Sequence, residues 1–263
     1  MSLHALPADD YLEFCAAVRR LTGIDLTQYK RPQMERRIRA FSERRGITSL
    51  PEYAKVLAQD PAQLDSLLDR VTINVSQLWR NPDQWERLAT AVIPELARRG
   101  RLRCWSAGCS YGAEAYTLAA TCRTVAAGAR TEIHGVDIDA RMIERARAGA
   151  FSAEDARTAP GAQLERWFTR TDCGWQARPE LKLLTRFETG DLLRDRFPEA
   201  GYDLVLCRNV VIYFTEGVRD ELHARLAASV RPGGYLVIGS SERISNASAI
   251  GLEPTFPFIY RRV

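Results

Sequence analysis

Long apolar runs are missing from this chain. No stretch of its 263 residues approaches the ~18 apolar residues that cross a bilayer, and no secretory leader pattern opens it. The expectation is a cytoplasmic protein with no membrane insertion. Cysteine pairs are missing too: Cys15, Cys104, Cys109, Cys122, Cys173 and Cys207 make no Cys-x-x-Cys and no short secreted framework. Three of them, Cys104, Cys109 and Cys207, fall in or beside apolar runs, so buried free thiols are expected there. Histidine is scarce, and His4, His134 and His223 are scattered, so no metal site is expected. What is present is ordinary for a globular protein: 46% hydrophobic and 27% charged residues. The length suffices for one large core plus a small satellite domain.

The most informative stretch is Trp105–Tyr116, Trp-Ser-Ala-Gly-Cys-Ser-Tyr-Gly-Ala-Glu-Ala-Tyr. It follows the apolar run 102–105 and leads into an alanine-rich segment, which reads as strand, tight turn with Gly108 and Gly112, then helix. Such a turn lets a ligand approach the backbone, and the helix start offers free N–H groups. A second strand over 132–136 ends in Asp137-Ile-Asp139, where a carboxylate suits a ribose diol. A third, near 184–188, ends at Gly190-Asp191-Leu192. A fourth, 202–207, runs into Arg208-Asn209-Val-Val-Ile-Tyr213-Phe. A helix over 216–230, the turn Arg231-Pro-Gly-Gly234 and a fifth strand over 235–239 complete the alternation. Small or polar residues therefore gather at the strand ends, where open parallel sheets bind ligands. The predicted fold is α/β, a doubly wound, Rossmann-like sheet.

The turn lacks the Gly-x-Gly-x-x-Gly of a pyrophosphate site and carries Glu114 instead. A carboxylate there repels phosphate but suits an α-ammonium. A ligand with a ribose, an ammonium and no phosphate fits S-adenosylmethionine. The competing reading of Glu114 is an ordinary first-turn acid on the helix dipole.

The chain resembles the chemotaxis-receptor glutamate O-methyltransferases of bacteria over nearly its whole length. The resemblance rests on Gly23-Ile-Asp-Leu, Tyr29-Lys, Gln33–Arg37, Thr72–Arg80, Trp105–Tyr116, Gly135–Asp139 and above all Cys207-Arg-Asn-Val-Val-Ile-Tyr-Phe214. It implies an all-α domain over 1–80, a methyltransferase domain over 81–263 and a small inserted antiparallel β subdomain at about 155–188. Two departures stand out: Gly112-Ala-Glu-Ala-Tyr116 where the family usually reads Gly-Glu-Glu-Pro-Tyr, and Asp191 where it usually has asparagine. By resemblance, S-adenosylmethionine is held by Asn74, Ser76, Arg80, Gly108, Glu114, Asp137, Asp191, Leu192, Arg208 and Asn209, and S-adenosylhomocysteine is the product. Asp137 is also supported by its strand-end position. Arg80 and Tyr213 are the expected catalytic pair. The plainer readings are a domain-interface salt bridge for Arg80, core packing for Tyr213 and a turn residue for Asn209.

The first ~90 residues show helical periodicity over 11–22, 33–45, 50–58 and 62–72, with Pro32 and Pro51 at helix starts and Gly23 and Gly46 at helix ends. Net charge is only +4, so positive charge is concentrated on the second of these helices and in Arg98, Arg99, Arg101 and Arg103. The basic side of that helix is a solvated face, a phosphate-tracking patch or a dock for an acidic helix. The resemblance favours the dock, with Arg31, Arg36, Arg37 and Arg39 meeting the cytoplasmic helical bundle of a chemoreceptor, and no nucleic acid. Phe168–Pro179 reads as a hairpin with a short Asp/Gly turn. Its shortness resembles family members that need no receptor tether. A monomer is expected. Two further readings stay open: a non-catalytic domain that binds S-adenosylhomocysteine or a receptor, and a methyltransferase acting on another carboxylate or on RNA.

Overall fold

The computed structural model describes residues 9–72 and 76–263. Contacts divide the chain into two compact units, one reaching to Ile73 and including Tyr213–Val218, the other spanning Asn74–Ile212 and Arg219–Val263.

The first unit holds α1 (Asp10–Thr22), α2 (Arg31–Glu43), α3 (Leu50–Gln59) and α4 (Pro61–Val71). Local chemistry sets their ends. Asp9 accepts from the Tyr11 and Leu12 amides, Asp60 from Ala62 and Gln63, and Gly23 closes α1 in the left-handed region at φ 79°. Apolar residues at helical spacing make the core, in which Phe14 of α1 stacks on Tyr53 of α3 at 5.8 Å. The segment from Tyr213 packs with these helices. Lys30 donates its amide to the Tyr213 carbonyl at 2.9 Å, Thr215 donates to Gln28 at 3.0 Å, and the Tyr29 and Phe214 rings meet edge to face at 5.1 Å.

The second unit opens with α5 (Pro82–Arg87), a wide helical turn over Leu88–Val92 and α6 (Ile93–Ala97). There follow β1 (Arg101–Ala107), α7 (Ala113–Val125), β2 (Arg130–Asp137), α8 (Ala140–Ala148), β3 (Ala150–Ser152), α9 (Gly161–Trp167), β4 (Phe168–Thr171), β5 (Gly174–Ala177) and α10 (Pro179–Lys182). The chain finishes with β6 (Thr185–Thr189), β7 (Tyr202–Cys207), α11 (Glu216–Ser229), β8 (Val230–Ile238), β9 (Leu252–Phe256) and β10 (Ile259–Arg262). Seven strands form one sheet in the order β6-β2-β1-β7-β8-β10-β9, parallel from β6 to β8, with β10 antiparallel to both its neighbours. Every residue of the central strand β7 is buried, as a strand covered on both faces requires. The winding reverses between β1 and β7, so a crevice opens outside the carboxyl ends of these two strands.

The doubly wound sheet is as the sequence led us to expect, and three local features differ. The antiparallel sheet (order β3-β5-β4) begins at Ala150 rather than near 155 and ends at Ala177, while 185–188 is the expected third strand, paired with β2 in the large sheet. Arg231–Gly234 is an irregular stretch inside β8, with Gly233 at φ 76° and a register shift against β7, rather than a turn before it. The β9–β10 hairpin was not foreseen. Its tight turn uses Pro257 and a left-handed Phe258 (φ 63°), not the Asn-Gly or Asp-Gly pair that advertises a hairpin. Residues 76–80, read from the sequence as the end of the helical domain, pack with the sheet unit. Among the described residues no helix is long and apolar enough to cross a membrane.

Candidate cofactor site at the strand ends

β1 ends in the turn that carries the first site residues. Gly108 and Gly112 sit at φ 77° and 86°, and a Cβ on Gly108 would lie 2.5 Å from Val210 Cγ2. Glycine is therefore required there both by backbone conformation and by space. Between them Ser110, left-handed at φ 49°, points its amide at Asp137 Oδ2 across 2.7 Å. Asp137 Oδ1 accepts from the Asp139 amide at 3.0 Å. The amides of Ser110, Asp139 and Ile138 thus hold the β1 turn and the end of β2 on this carboxylate, whose roughly four acceptor positions leave room for a ribose hydroxyl. Burial pushes the Asp137 carboxyl up, and the amides of Asp139 and Ser110 oppose the shift. Asp139 is engaged elsewhere, capping α8 through the Arg141 amide and pairing with the Arg141 guanidinium at 2.8 Å.

Glu114, in the first turn of α7, is 9% exposed. Its Oε1 accepts from Ser106 Oγ at 2.6 Å, and its Oε2 lies 3.4 Å from an Arg208 guanidinium nitrogen. Burial raises its pKa, while the charges of Arg208 and Arg80 and the Ser106 hydroxyl pull it back. Arg80 is thereby placed within electrostatic reach of Glu114. The backbone around Arg80 is tightly determined: Trp79 and Asn81 are both left-handed, at φ 53° and 60°. Two such non-glycine residues in a row of three cost about 1–3 kcal/mol each and persist only where the surroundings hold them. Here Leu78 donates its amide to Asp155, Thr158 Oγ1 donates to the Leu78 carbonyl, and Trp79 donates to Thr117 Oγ1. The Arg80 carbonyl receives both Arg208 (2.7 Å) and Trp85 Nε1 (3.0 Å).

At the end of β7, Arg208 is 8% exposed and donates to Gln84 Oε1, Glu114 Oε2, the Arg80 carbonyl and Asn81 Oδ1. Burial lowers its pKa, and the Glu114 charge opposes that. Asn209 is left-handed at φ 62°, and its Oδ1 is buried with no hydrogen-bond partner. Glu242, from the segment after β8, accepts from the Gly239 amide at 2.5 Å, and the amides of Asn209, Val210 and Val211 also hold its charge. Its own pKa is raised by burial.

The structure thus brings Arg80, Gly108, Glu114, Asp137, Arg208 and Asn209 to the carboxyl ends of β1, β2 and β7. The remaining candidates are placed differently. Asp191 caps its own turn, accepting from the Leu193 amide at 2.8 Å with Arg194 at 3.6 Å, and Leu192 is buried. The Ser76 carbonyl accepts from the Tyr111 hydroxyl, while Asn74 lies outside the described residues. Tyr213 belongs to the helical unit, where the Arg37 guanidinium lies 5.9 Å from its ring centre. Ser106, Gln84, Trp85 and Glu242 were not singled out from the sequence. Of these only Ser106 carried a signal, as a hydroxyl two residues before the first glycine of an apolar strand's turn.

Two family models match the chain, the CheR methyltransferase all-alpha domain over residues 9–72 and the CheR methyltransferase SAM binding domain over residues 74–253. The chain belongs to the CheR methyltransferase family. Among its relatives, the chemotaxis protein methyltransferase of Listeria innocua is 37% identical over 253 residues, covering 95% of this chain and 96% of that protein. The counterpart in Listeria monocytogenes is 36% identical over the same span and shares. Chemotaxis protein methyltransferase Cher2 of Pseudomonas putida is 30% identical, covering 90% of each chain. A CheR methyltransferase takes S-adenosylmethionine, and the residues fit it. Glu114 is a buried carboxylate suited to an ammonium, Asp137 keeps acceptor capacity for a ribose hydroxyl, and Asn209 Oδ1 is a buried acceptor with no protein donor.

Proposed function

We propose that this chain transfers the methyl group of S-adenosylmethionine to glutamate side chains of bacterial chemoreceptors, giving glutamate methyl esters and S-adenosylhomocysteine. The observation that carries the reading is the buried Glu114, held by Ser106 and Arg208 where the first strand turns into its helix, beside the strand-end Asp137. Bound S-adenosylmethionine supplies an electrophilic methyl group on sulfur. A glutamate carboxylate is ionised at pH 7, its ordinary pKa being near ~4.3, so no protein base is needed to make it a nucleophile. The protein's part is positioning and exclusion of water.

Arg80 holds the incoming carboxylate, or the cofactor's own, through its guanidinium fork; holding the substrate, it leaves one oxygen lone pair free for the methyl. Glu114 receives the cofactor's ammonium and Asp137 its ribose. Asn209, Ser76, Asn74, Asp191, Leu192 and the backbone at Gly108 complete the cofactor's surroundings. Tyr213 orients the reacting groups with its hydroxyl. The receptor's cytoplasmic helical bundle docks on α2, and the protein works as a cytoplasmic monomer. The two-residue turn Asp172-Cys173 between β4 and β5 supports a tether-independent mode. Of the four docking arginines, Arg31 pairs with Asp9 and Glu35, and Arg39 pairs with Asp10 and Glu35. Arg37 is half-buried and donates to the Arg70 carbonyl at 3.2 Å, so Arg36 carries the charge offered outward.

The test is to incubate the protein with methyl-labelled S-adenosylmethionine and membranes carrying chemoreceptors, then treat the receptor with base. Label released as methanol, and absent with Arg80→Ala, is the expected result. Label that survives base would point to a different acceptor. Binding of S-adenosylhomocysteine with no transfer to any receptor would point to a non-catalytic domain.

A further inference from the structure

Gln84 lies at the start of α5, 6% exposed, and both ends of its amide are used. Its Nε2 donates to the Ile238 carbonyl at the end of β8 at 3.0 Å, and its Oε1 accepts from Arg208 Nε at 3.0 Å. One side chain therefore ties α5 to the ends of β7 and β8. The other partners of Arg208 are Glu114, the Arg80 carbonyl and Asn81 Oδ1. Arg80 and Asn81 belong to the left-handed segment that itself needs holding. Among these acceptors Gln84 is the one braced from behind by a strand carbonyl. The Trp85 ring, 5.5 Å from the guanidinium carbon, adds a flat wall.

We infer that Gln84 is a positioning residue of the cofactor site: braced on β8, it fixes the Arg208 guanidinium, which in turn holds the Glu114 carboxylate and the main chain of Arg80. This rests on the reading that Glu114 receives the cofactor's ammonium. Release of Arg208 leaves Glu114 with less opposing charge in a buried place, so its ionised form is disfavoured. The groups that face Glu114 are Arg208, Arg80 and the Ser106 hydroxyl, with the Cys109 and Cys207 thiols close by. Burial pushes both thiols well up, so they stay neutral across the working range. Arg208 also faces Glu242. A cationic ligand needs Glu114 ionised. The affinity of such a ligand therefore falls as pH drops through the Glu114 pKa, and loosening Arg208 moves that fall to higher pH.

The experiment is a calorimetric titration of S-adenosylhomocysteine into the full chain across about pH 6–8. The proteins are wild type, Gln84→Met, Glu114→Gln and the double variant, each checked by thermal unfolding. Gln84→Met keeps length and loses both hydrogen bonds. It is expected to weaken binding by about tenfold, the worth of a hydrogen bond to a charged group. It should also raise the pH below which affinity falls, and have a smaller effect in the Glu114→Gln background, where only the tie to the Arg80 main chain remains. Wild-type affinity and pH profile in Gln84→Met would overturn the proposal, as would an equal loss with and without Glu114. Should Gln84→Met not fold, Gln84→Glu takes its place. It keeps the acceptor for Arg208 and adds a carboxylate near Glu114. Its pH threshold should rise while affinity at the alkaline end stays within about threefold of wild type; an unmoved threshold overturns the proposal. A wild type that binds no S-adenosylhomocysteine at any pH removes the cofactor reading itself, a result distinct from either of these.

Discussion

Two buried carboxylates do different work at this site. Asp137 is spent partly on the protein, since its two oxygens hold the amides of Ser110 and Asp139. Asp137→Ala leaves both donors without their acceptor, and each such loss costs about 1–3 kcal/mol. The expected outcome is a lower melting temperature in the apo-protein as well as lost affinity for S-adenosylhomocysteine, read by thermal unfolding and calorimetry. A variant that binds poorly yet melts as wild type would show that the ribose contact is the residue's only duty. Glu114 behaves differently, because burial raises its pKa and so the folded state takes up its proton more readily than the unfolded chain. The contribution to apo-protein stability is therefore fully present below the ordinary carboxylate pKa and is lost as pH rises through the raised one. Urea unfolding of the apo-protein should show this downward slope, and Glu114→Gln should flatten it over that window. A slope unchanged by the substitution would mean that Glu114 keeps an ordinary pKa.

The elements around the site show why part of it could be read from the sequence and part could not. Strand ends announce themselves, because an apolar run that stops at glycine or aspartate marks the end of a strand in an α/β chain. That singled out Gly108, Glu114 and Asp137, together with the alternation that builds the sheet, while Arg208 and Asn209 came from the resemblance alone. Gln84 and Glu242 were not legible, since a polar residue on a short helix or in a loop looks solvated until the fold buries it. Nor was the left-handed pair Trp79 and Asn81, whose strained segment is held by contacts with Asp155, Thr158 and Arg208 far along the chain. The β1 turn gives the sharpest test at this scale. In Gly108→Ala the left-handed backbone alone costs about 1–2 kcal/mol, and the new methyl would meet Val210. Because Val210 directly follows Asn209, relief of that clash shifts the end of β7. Stability and S-adenosylhomocysteine affinity should fall together, while Gly128→Ala, which meets no atom within 4 Å, should change neither.

On the scale of the whole molecule, the helical unit takes in one segment from late in the chain. Tyr213, later in the chain than β7, packs among the helices that carry the basic face, and the Arg37 guanidinium lies over its ring. The basic face itself is not uniform. Arg31 and Arg39 are held by Asp9, Asp10 and Glu35, so much of their charge is already answered within the helical unit. Arg36 is exposed on the same helix. The two kinds of arginine should therefore respond differently to substitution. Arg36→Glu replaces an outward positive charge with a negative one. It should raise the receptor KM at low salt by roughly tenfold with little change in kcat, and the difference from wild type should shrink as ionic strength rises, because exposed charges are screened within ~10 Å at 0.1 M salt. Arg31→Ala should instead lower the melting temperature of the protein, with a smaller effect on receptor KM, because it strands Asp9 at the cap of α1. Initial-rate methylation of receptor membranes at several salt concentrations, paired with thermal unfolding, separates the two. If Arg36→Glu leaves KM and its salt dependence unchanged, the receptor is not steered by this face of α2, and the basic side of the helix is simply its solvated surface.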